Sequence, residues 1–141
     1  MPTADRVHAA EGLFAETPDG PRLLGSRCAS CGTPYFPRAA LCHNPGCDQS
    51  RMEDASFGPR GTLWSCAIQN YPPPPPALYE EPYQPYAMGA VDLPEGLRVM
   101  GRIHTGDPEG VRPGVDVELV VEPVKRDDEG REIVTWMFRP L

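Results

Sequence analysis

Residues 28–47 read CASCGTPYFPRAALCHNPGC, and this stretch determines how the first part of the chain can fold. It holds four of the five cysteines, in the order Cys-x2-Cys, ten residues, Cys-x4-Cys. A thiolate is a soft ligand, and zinc prefers four such ligands in a tetrahedron. The pattern therefore predicts one zinc ion bound by Cys28, Cys31, Cys42 and Cys47.

The segment around these cysteines, residues 22–52, is rich in Gly, Pro and Ser and has little periodicity. It cannot bury a core of its own size, so the metal is expected to hold it together. Gly32 and Gly46 stand where the two knuckles need a permissive backbone. Tyr35 and Phe36 are expected to pack beside the site.

Four protein ligands close the coordination shell and leave no position for water or substrate, so the zinc is predicted to be structural. One alternative concerns the second knuckle. His43 is adjacent to Cys42 and could replace it as a ligand, although Cys42 and Cys47 complete an all-cysteine set without it.

The chain after Phe57 is rich in strand formers and alternates apolar with polar residues. Trp64, Cys66 and Ile68 fall on one apolar face under this alternation. A tight turn at 94–96 joins two of the expected segments. Five short strands with little helix between them favour a small barrel, and the OB-fold is the commonest five-stranded form. The strands are predicted at 61–69, 86–93, 97–105, 115–121 and 132–138.

Residues 5–16 are predicted to form a short helix, because Val7, Ala10 and Phe14 would share one face. The turn cluster at 17–21 ends it. The expected fold is thus mainly β. It comprises an N-terminal helical segment (1–21), a rubredoxin-like zinc ribbon (22–52) and an OB-fold barrel (53–141).

A loop at 70–86 interrupts the barrel and holds seven of the nineteen prolines and four of the five tyrosines. Five consecutive prolines predict polyproline II, which is stiff and has no backbone donors. Tyrosine is an amphipathic anchor that interfaces favour. The loop is therefore a candidate binding element, with a solvated connector as the alternative.

The formal net charge is -7, and Lys125 is the only lysine. Such a charge argues against a general nucleic-acid binder, because that affinity depends on cations that neutralise phosphates. The ribbon is locally basic, and two arginines such as Arg27 and Arg38 could clamp a phosphate; ordinary solubility is the alternative. No apolar run approaches the roughly 20 residues of a membrane helix. The N-terminus lacks a signal-peptide pattern, so a cytoplasmic protein without a membrane partner is expected.

No catalytic grouping is recognised in the sequence. The Ser-His-Asp and Cys-His patterns and a glycine-rich phosphate loop are missing. Cys66 is interpreted as a small buried hydrophobe rather than a nucleophile. Arg98, Met100, Arg102 and His104 share one strand face, which could bind an anion or a partner or could simply be solvated.

The order of these parts resembles the family of zinc-ribbon/OB-fold acyl-CoA-associated proteins, formerly catalogued as a domain of unknown function. The resemblance covers about residues 22–140 and departs from the family at the second knuckle, where Cys-x2-Cys is more usual than Cys-x4-Cys. The residues that carry it are GSRCASCG (25–32), YFPR (35–38), GTLWS (61–65), PYAMGAVDLPEG (85–96) and PGVDV (113–117).

The resemblance implies a non-catalytic accessory subunit that pairs with a thiolase-like protein of the sterol-carrier-thiolase type, in a heterotetramer. Such complexes cleave a carbon–carbon bond in an acyl-CoA thioester, by retro-aldol cleavage or thiolysis, in steroid side-chain or aromatic-acid degradation. The partner supplies the catalytic residues, and the accessory subunit helps to complete the acyl-CoA site. The candidate acyl-CoA or partner contacts are Arg27, Arg38, Tyr71, Tyr79, Tyr83 and Tyr86.

Two other functions remain open at this point. The chain could be a free-standing acyl-CoA-binding protein, which would bind CoA esters by itself. It could also be a nucleic-acid-binding OB module, since ribbons and OB barrels both serve that role.

Overall fold

The computed structural model describes residues 6–141 and is built almost entirely of β-strands. Its one helix in this range is a three-residue 3-10 turn at Pro108–Gly110, and no helix there is long and apolar enough to cross a membrane. The strands are β1 (Arg6–His8), β2 (Phe14–Thr17), β3 (Gly20–Cys28), β4 (Pro34–Tyr35), β5 (Met52–Phe57), β6 (Arg60–Gln69), β7 (Tyr86–Asp92), β8 (Arg98–Ile103), β9 (Asp116–Arg126) and β10 (Glu132–Pro140).

The last five strands close into a barrel in the order β6-β7-β8-β10-β9 and back to β6. Four of the pairings are antiparallel, whereas β8 and β10 run parallel. A five-stranded closed barrel of this order is an OB-fold, as the sequence predicts. The predicted turn after β7 is also confirmed, since the amide of Gly96 donates to the carbonyl of Leu93 at 3.0 Å.

A second sheet of four strands carries the cysteine module. Its central strand β3 pairs with β2, β4 and β5, all antiparallel. β5 therefore belongs to the ribbon sheet, although it extends from Met52 to Phe57, beyond the expected end of the ribbon at residue 52. Only Gly58 and Pro59 separate it from the first barrel strand.

One apolar core serves both sheets. Phe14, Leu23 and Phe57 come from the ribbon sheet and are at most 2% exposed. They pack in the same cluster as the barrel residues Leu63 and Phe138. Burial of this apolar surface is the main force that holds the ribbon sheet against the barrel.

The N-terminal helix is not observed, and this expectation is wrong for the described residues. Strands β1 and β2 occupy most of 6–17, and residues 1–5 lie outside the described range. Gly12 has a positive φ of 80°, which breaks the segment. β1 pairs parallel with β10, and Phe14 reaches the shared core. Sheet pairing and burial thus outweigh a weak helical pattern.

The expected apolar face of β6 is wrong at Trp64. A β-bulge between Leu63 and Ser65 changes the alternation, so Leu63 is fully buried while Trp64 is 56% exposed. Beyond the bulge, Cys66 and Ile68 are half-buried against the core, as expected. A bulge of this kind inserts one residue and redirects the side chains that follow it.

The proline-rich loop after β6 is not a continuous polyproline II helix. The amide of Ala77 donates to the carbonyl of Pro74 at 3.2 Å and closes a turn in the middle of the loop. Polyproline II has no internal hydrogen bonds, so this turn ends it.

Replacing Gly25 by alanine should destabilise the protein. A Cβ there would collide with the carbonyl oxygen of Tyr35 and lie 2.8 Å from the Phe57 ring. We expect the free energy of unfolding to fall by about 2 kcal/mol or more, as for other overpacked sites. Denaturant unfolding measures it.

Gly106→Ala is the matched control, because a Cβ at Gly106 meets no heavy atom within 4 Å. Its effect should stay within about 0.5 kcal/mol. Equal stability of the two variants would contradict the close approach of β3 and β4 at Gly25.

Candidate metal centre and contact residues

The structure brings the four predicted ligands together. The sulfur atoms of Cys28, Cys31, Cys42 and Cys47 all lie within 4.8 Å of one another. The distances are 3.8 Å between Cys28 and Cys47 and 3.6 Å between Cys31 and Cys42. A tetrahedron with Zn–S bonds of about 2.3 Å places its sulfurs about 3.8 Å apart. The geometry fits a closed four-sulfur zinc site.

The first knuckle follows directly from the end of β3. The Gly32 amide donates to the carbonyl of Cys28 at 2.7 Å, and the Cys28 amide donates to Thr33 at 3.0 Å. Gly32 has a φ of 82°, in the left-handed region that glycine tolerates best. The predicted role of Gly32 is therefore confirmed. The turn directs the Cys31 sulfur back towards Cys28.

The second knuckle is organised by Asn44, which sequence reasoning missed. Its side-chain oxygen accepts from the Gly46 amide at 2.9 Å, and its carbonyl accepts from Cys47 at 3.0 Å. The side-chain amide donates to the Thr33 hydroxyl at 2.9 Å, which links the two knuckles. Gly46 is not in the left-handed region, so the expected reason for that glycine is wrong. The Asn-Pro-Gly sequence at 44–46 was a readable turn signal.

Tyr35 and Phe36 point to different places. The Tyr35 hydroxyl lies 3.3 Å from the Cys42 sulfur and accepts from the His43 amide at 2.7 Å. The hydrogen bond with Cys42 raises the pKa of the Tyr35 phenol. Phe36 instead packs on Trp136 of the barrel, with ring centroids 5.5 Å apart. The expectation that Phe36 packs beside the metal site is wrong, because its side chain packs against the shared core instead.

His43 is not part of the sulfur cluster. Its imidazole meets the edge of the Tyr35 ring at 5.8 Å, and its backbone is held by the same phenol. Among the described residues, the groups close enough to share a metal at this site are the four cysteines.

The electrostatics of the cluster favour a bound cation. Backbone hydrogen bonds, first from Arg51 and then from Cys31, lower the pKa of the Cys28 thiol to about 6. The Gln49 backbone lowers the pKa of Cys47, but burial and the hydrogen bonds to the other sulfurs outweigh it and raise that pKa to about 12. One thiolate forms readily while another is suppressed by its neighbours. A dication between the sulfurs removes this conflict.

The two arginines predicted to bind a phosphate already have partners. Arg27 donates to the Gly32 carbonyl at 2.7 Å and lies over the Phe57 ring. Arg38 donates to the Asp54 carboxylate at 3.0 Å and to a backbone carbonyl at 2.8 Å. Both guanidinium groups thus connect parts of the ribbon, and a role in binding CoA stays a prediction.

Three of the four predicted tyrosines form an aromatic cluster, and the fourth is exposed. Tyr79, Tyr83 and Tyr86 contact one another edge to face, with centroids 5.3 and 6.1 Å apart. The Tyr83 hydroxyl donates to the carbonyl of Gln69 at 2.6 Å and ties the loop to the end of β6. Tyr71 is 70% exposed. The aromatic cluster stabilises the loop, whereas the exposed side chain of Tyr71 is accessible to a binding partner.

Comparison with known proteins identifies both modules. Residues 18–53 match the family model described as the rubredoxin-like zinc ribbon domain of ChsH2. Residues 55–122 match the model described as the C-terminal OB-fold domain of ChsH2. With the four-sulfur cluster, the ribbon match establishes a structural zinc in this chain.

Relatives match over most of the chain. It is 31% identical to a DUF35 domain-containing scaffold protein of Methanocaldococcus jannaschii, over 84% of this chain and 82% of the relative. It is 31% identical to the benzoylsuccinyl-CoA thiolase subunit BbsA of Thauera aromatica, over 86% and 78%. A solved chain of the Ltp2-ChsH2(DUF35) aldolase superposes with a TM-score of 0.63 and 28% identity, over 84% of each chain.

The ligand set can be tested by removing one sulfur at a time. We expect Cys42→Ser to abolish stoichiometric zinc binding, because three thiolates leave the shell open. Metal analysis of the purified protein measures the zinc content. Cys66→Ser is the matched control and should keep one zinc per chain, since Cys66 lies outside the cluster. Full zinc content in Cys42→Ser together with its loss in His43→Ala would show that His43 is the ligand.

Tyr35→Phe should weaken zinc binding without abolishing it. The variant removes the hydroxyl beside the Cys42 sulfur and leaves the His43 amide without its acceptor. Loss of such a supporting contact typically lowers metal affinity by about 10-fold or more. Competition with a zinc chelator measures this. Tyr71→Phe, at an exposed position, should compete like the wild type; equal affinities of all three proteins would exclude a supporting role for Tyr35.

Proposed function

Because the chain belongs to the DUF35 family of zinc-ribbon and OB-fold proteins, we propose that it is a non-catalytic accessory subunit of a heteromeric thiolase-like enzyme. That enzyme would cleave a carbon–carbon bond in an acyl-CoA thioester, by retro-aldol cleavage or thiolysis. The observation that carries the proposal is the match of both modules to a chain of the Ltp2-ChsH2(DUF35) aldolase, over 84% of each chain.

The chemistry of the cysteines supports this division of labour. Four of them converge on one closed metal site, which leaves zinc no position for substrate. The fifth, Cys66, is half-buried against the core, with its sulfur 3.8 Å from the Val111 carbonyl. The cysteines of this chain therefore have structural roles, and we expect the proposed partner to supply the catalytic residues.

The finer features of the proposal concern the assembly. The partner is a thiolase-like protein of the sterol-carrier-thiolase type, in a two-plus-two heterotetramer, with the acyl-CoA at or near the interface. Two relatives carry subunit or complex names of this kind, the benzoylsuccinyl-CoA thiolase subunit and the aldolase. Tyr71, which is 70% exposed, is one accessible candidate contact. None of the five cysteines forms a disulfide, which suits the reducing cytoplasm that we propose as the location of the protein.

Co-expression tests the proposal. The chain is produced with each thiolase-like protein encoded by its source organism, and the purified material is analysed by size-exclusion chromatography with light scattering. We expect one of these proteins to co-elute with it at equal stoichiometry. Turnover of acyl-CoA thioesters, followed by chromatography of the shortened product, should require both subunits.

Three results would contradict this function. Separate elution from every thiolase-like protein would exclude a stable complex. Calorimetric binding of CoA esters by the isolated chain, without a partner, would favour a free-standing acyl-CoA-binding protein. Salt-dependent binding of single-stranded nucleic acid would favour an OB module that reads DNA or RNA.

A further inference from the structure

The outer surface of the barrel carries two large exposed apolar side chains, one on β6 and one on β8. Trp64 on β6 is 56% exposed and Met100 on β8 is 57% exposed. Arg98 stacks over the Trp64 ring and lies two residues before Met100 on the same side of β8. Ala90 on β7 pairs with Met100 across the sheet. Ala90 itself is only 7% exposed, so the accessible surface is formed by Trp64, Arg98 and Met100, and we call it the Trp64 face.

The Trp64 ring is held in place before any partner arrives. The guanidinium carbon of Arg98 lies 3.6 Å from the centre of the ring. The same guanidinium donates two hydrogen bonds to Asp92, at 2.6 and 3.1 Å, and this contact lowers the pKa of Asp92. A large side chain fixed in this way loses little conformational freedom on binding.

The charges around this face are already compensated. Arg98 pairs with Asp92, and Arg102, further along β8, lies 3.6 Å from Glu80. Arg102 also covers the ring of Tyr86. An anion such as a CoA phosphate or a nucleic-acid backbone would have to compete with these carboxylates, on a chain with a net charge of -7. The surface left without a partner is apolar, which favours an uncharged protein surface.

The Trp64 face adjoins the seam between the two modules. The indole N–H of Trp136 donates to the Met100 carbonyl at 3.2 Å. The Trp136 ring contacts Phe36 of the ribbon module at 5.5 Å and Phe14 at 6.0 Å. A protein seated on Met100 would therefore lie beside the line along which the ribbon meets the barrel.

We propose that the Trp64 face is the docking surface for the thiolase-like subunit, which meets it with an apolar, uncharged patch of its own. The inference rests on the proposed function. Tryptophan, methionine and arginine are enriched at the centres of protein interfaces, and tryptophan and arginine dominate their binding energy. The face combines all three with internal charge compensation.

Met100→Asp tests the surface, in complex with the thiolase-like protein that co-elutes with the wild type. A carboxylate would be buried without a partner, so we expect the dissociation constant to rise by about 10-fold or more. Trp64→Ala should have an effect of similar size. Leu141→Asp is the matched control, because Leu141 is also 57% exposed, and it should bind like the wild type. Zinc content and melting temperature establish that each variant is folded.

A photocrosslinking side chain, p-benzoylphenylalanine, provides a second measurement that needs no loss of binding. Placed at position 100 it should crosslink to the thiolase-like subunit, whereas placed at position 141 it should not. If the wild type forms the complex and Met100→Asp binds equally well without crosslinking at 100, the docking surface is wrong while the proposed function stands.

Two further outcomes overturn the inference. If the wild type binds no thiolase-like protein, the proposed function fails and the docking surface fails with it. If the wild-type chain alone is a dimer that Met100→Asp converts to a monomer, the face joins two copies of this chain instead.

Discussion

Four sulfur atoms within 4.8 Å of one another form the site of one zinc ion, and the first part of the structure depends on this metal centre. Cys28 and Cys31 lie at or near the end of β3, and Cys42 and Cys47 lie in the loop between β4 and β5. The metal therefore ties together the ends of the strands that form the ribbon sheet. That sheet in turn presents Phe14, Leu23 and Phe57 to the barrel. Zinc thus contributes indirectly to the completion of the shared core.

Features that depend on local spacing could be predicted from the sequence. The cysteine spacing indicated the zinc site, and alternation of apolar residues indicated the five barrel strands. The errors arose where distant pairing decides the outcome. β1 forms because it pairs in parallel with β10, which is distant in the sequence. A bulge at Trp64 changes which side chains of β6 face inward. Neither the pairing partner of a strand nor the position of a bulge can be recognised from the local alternation of apolar and polar residues.

The candidate contact residues show the same limit. Composition marked the tyrosines of the proline-rich loop as a group, and the structure does bring Tyr79, Tyr83 and Tyr86 together. These three rings contact one another and stabilise the conformation of the loop, so they do not form an open binding surface. Arg27 and Arg38 are likewise engaged within the ribbon module. Trp64 was predicted to lie on the apolar face of its strand, and this was wrong because its exposure depends on the bulge, whereas Arg98 and Met100 were predicted to share one strand face.

The link between the ribbon sheet and the barrel, Gly58 and Pro59, is two residues long and crosses no gap between separate cores. The two regions that family models treat as distinct domains, 18–53 and 55–122, share one apolar core in this structure. Dividing the chain between them would uncover apolar surface on both pieces. We therefore expect each region, produced alone, to be less stable than the same region within the intact chain, since each would lose the apolar contacts that the other provides.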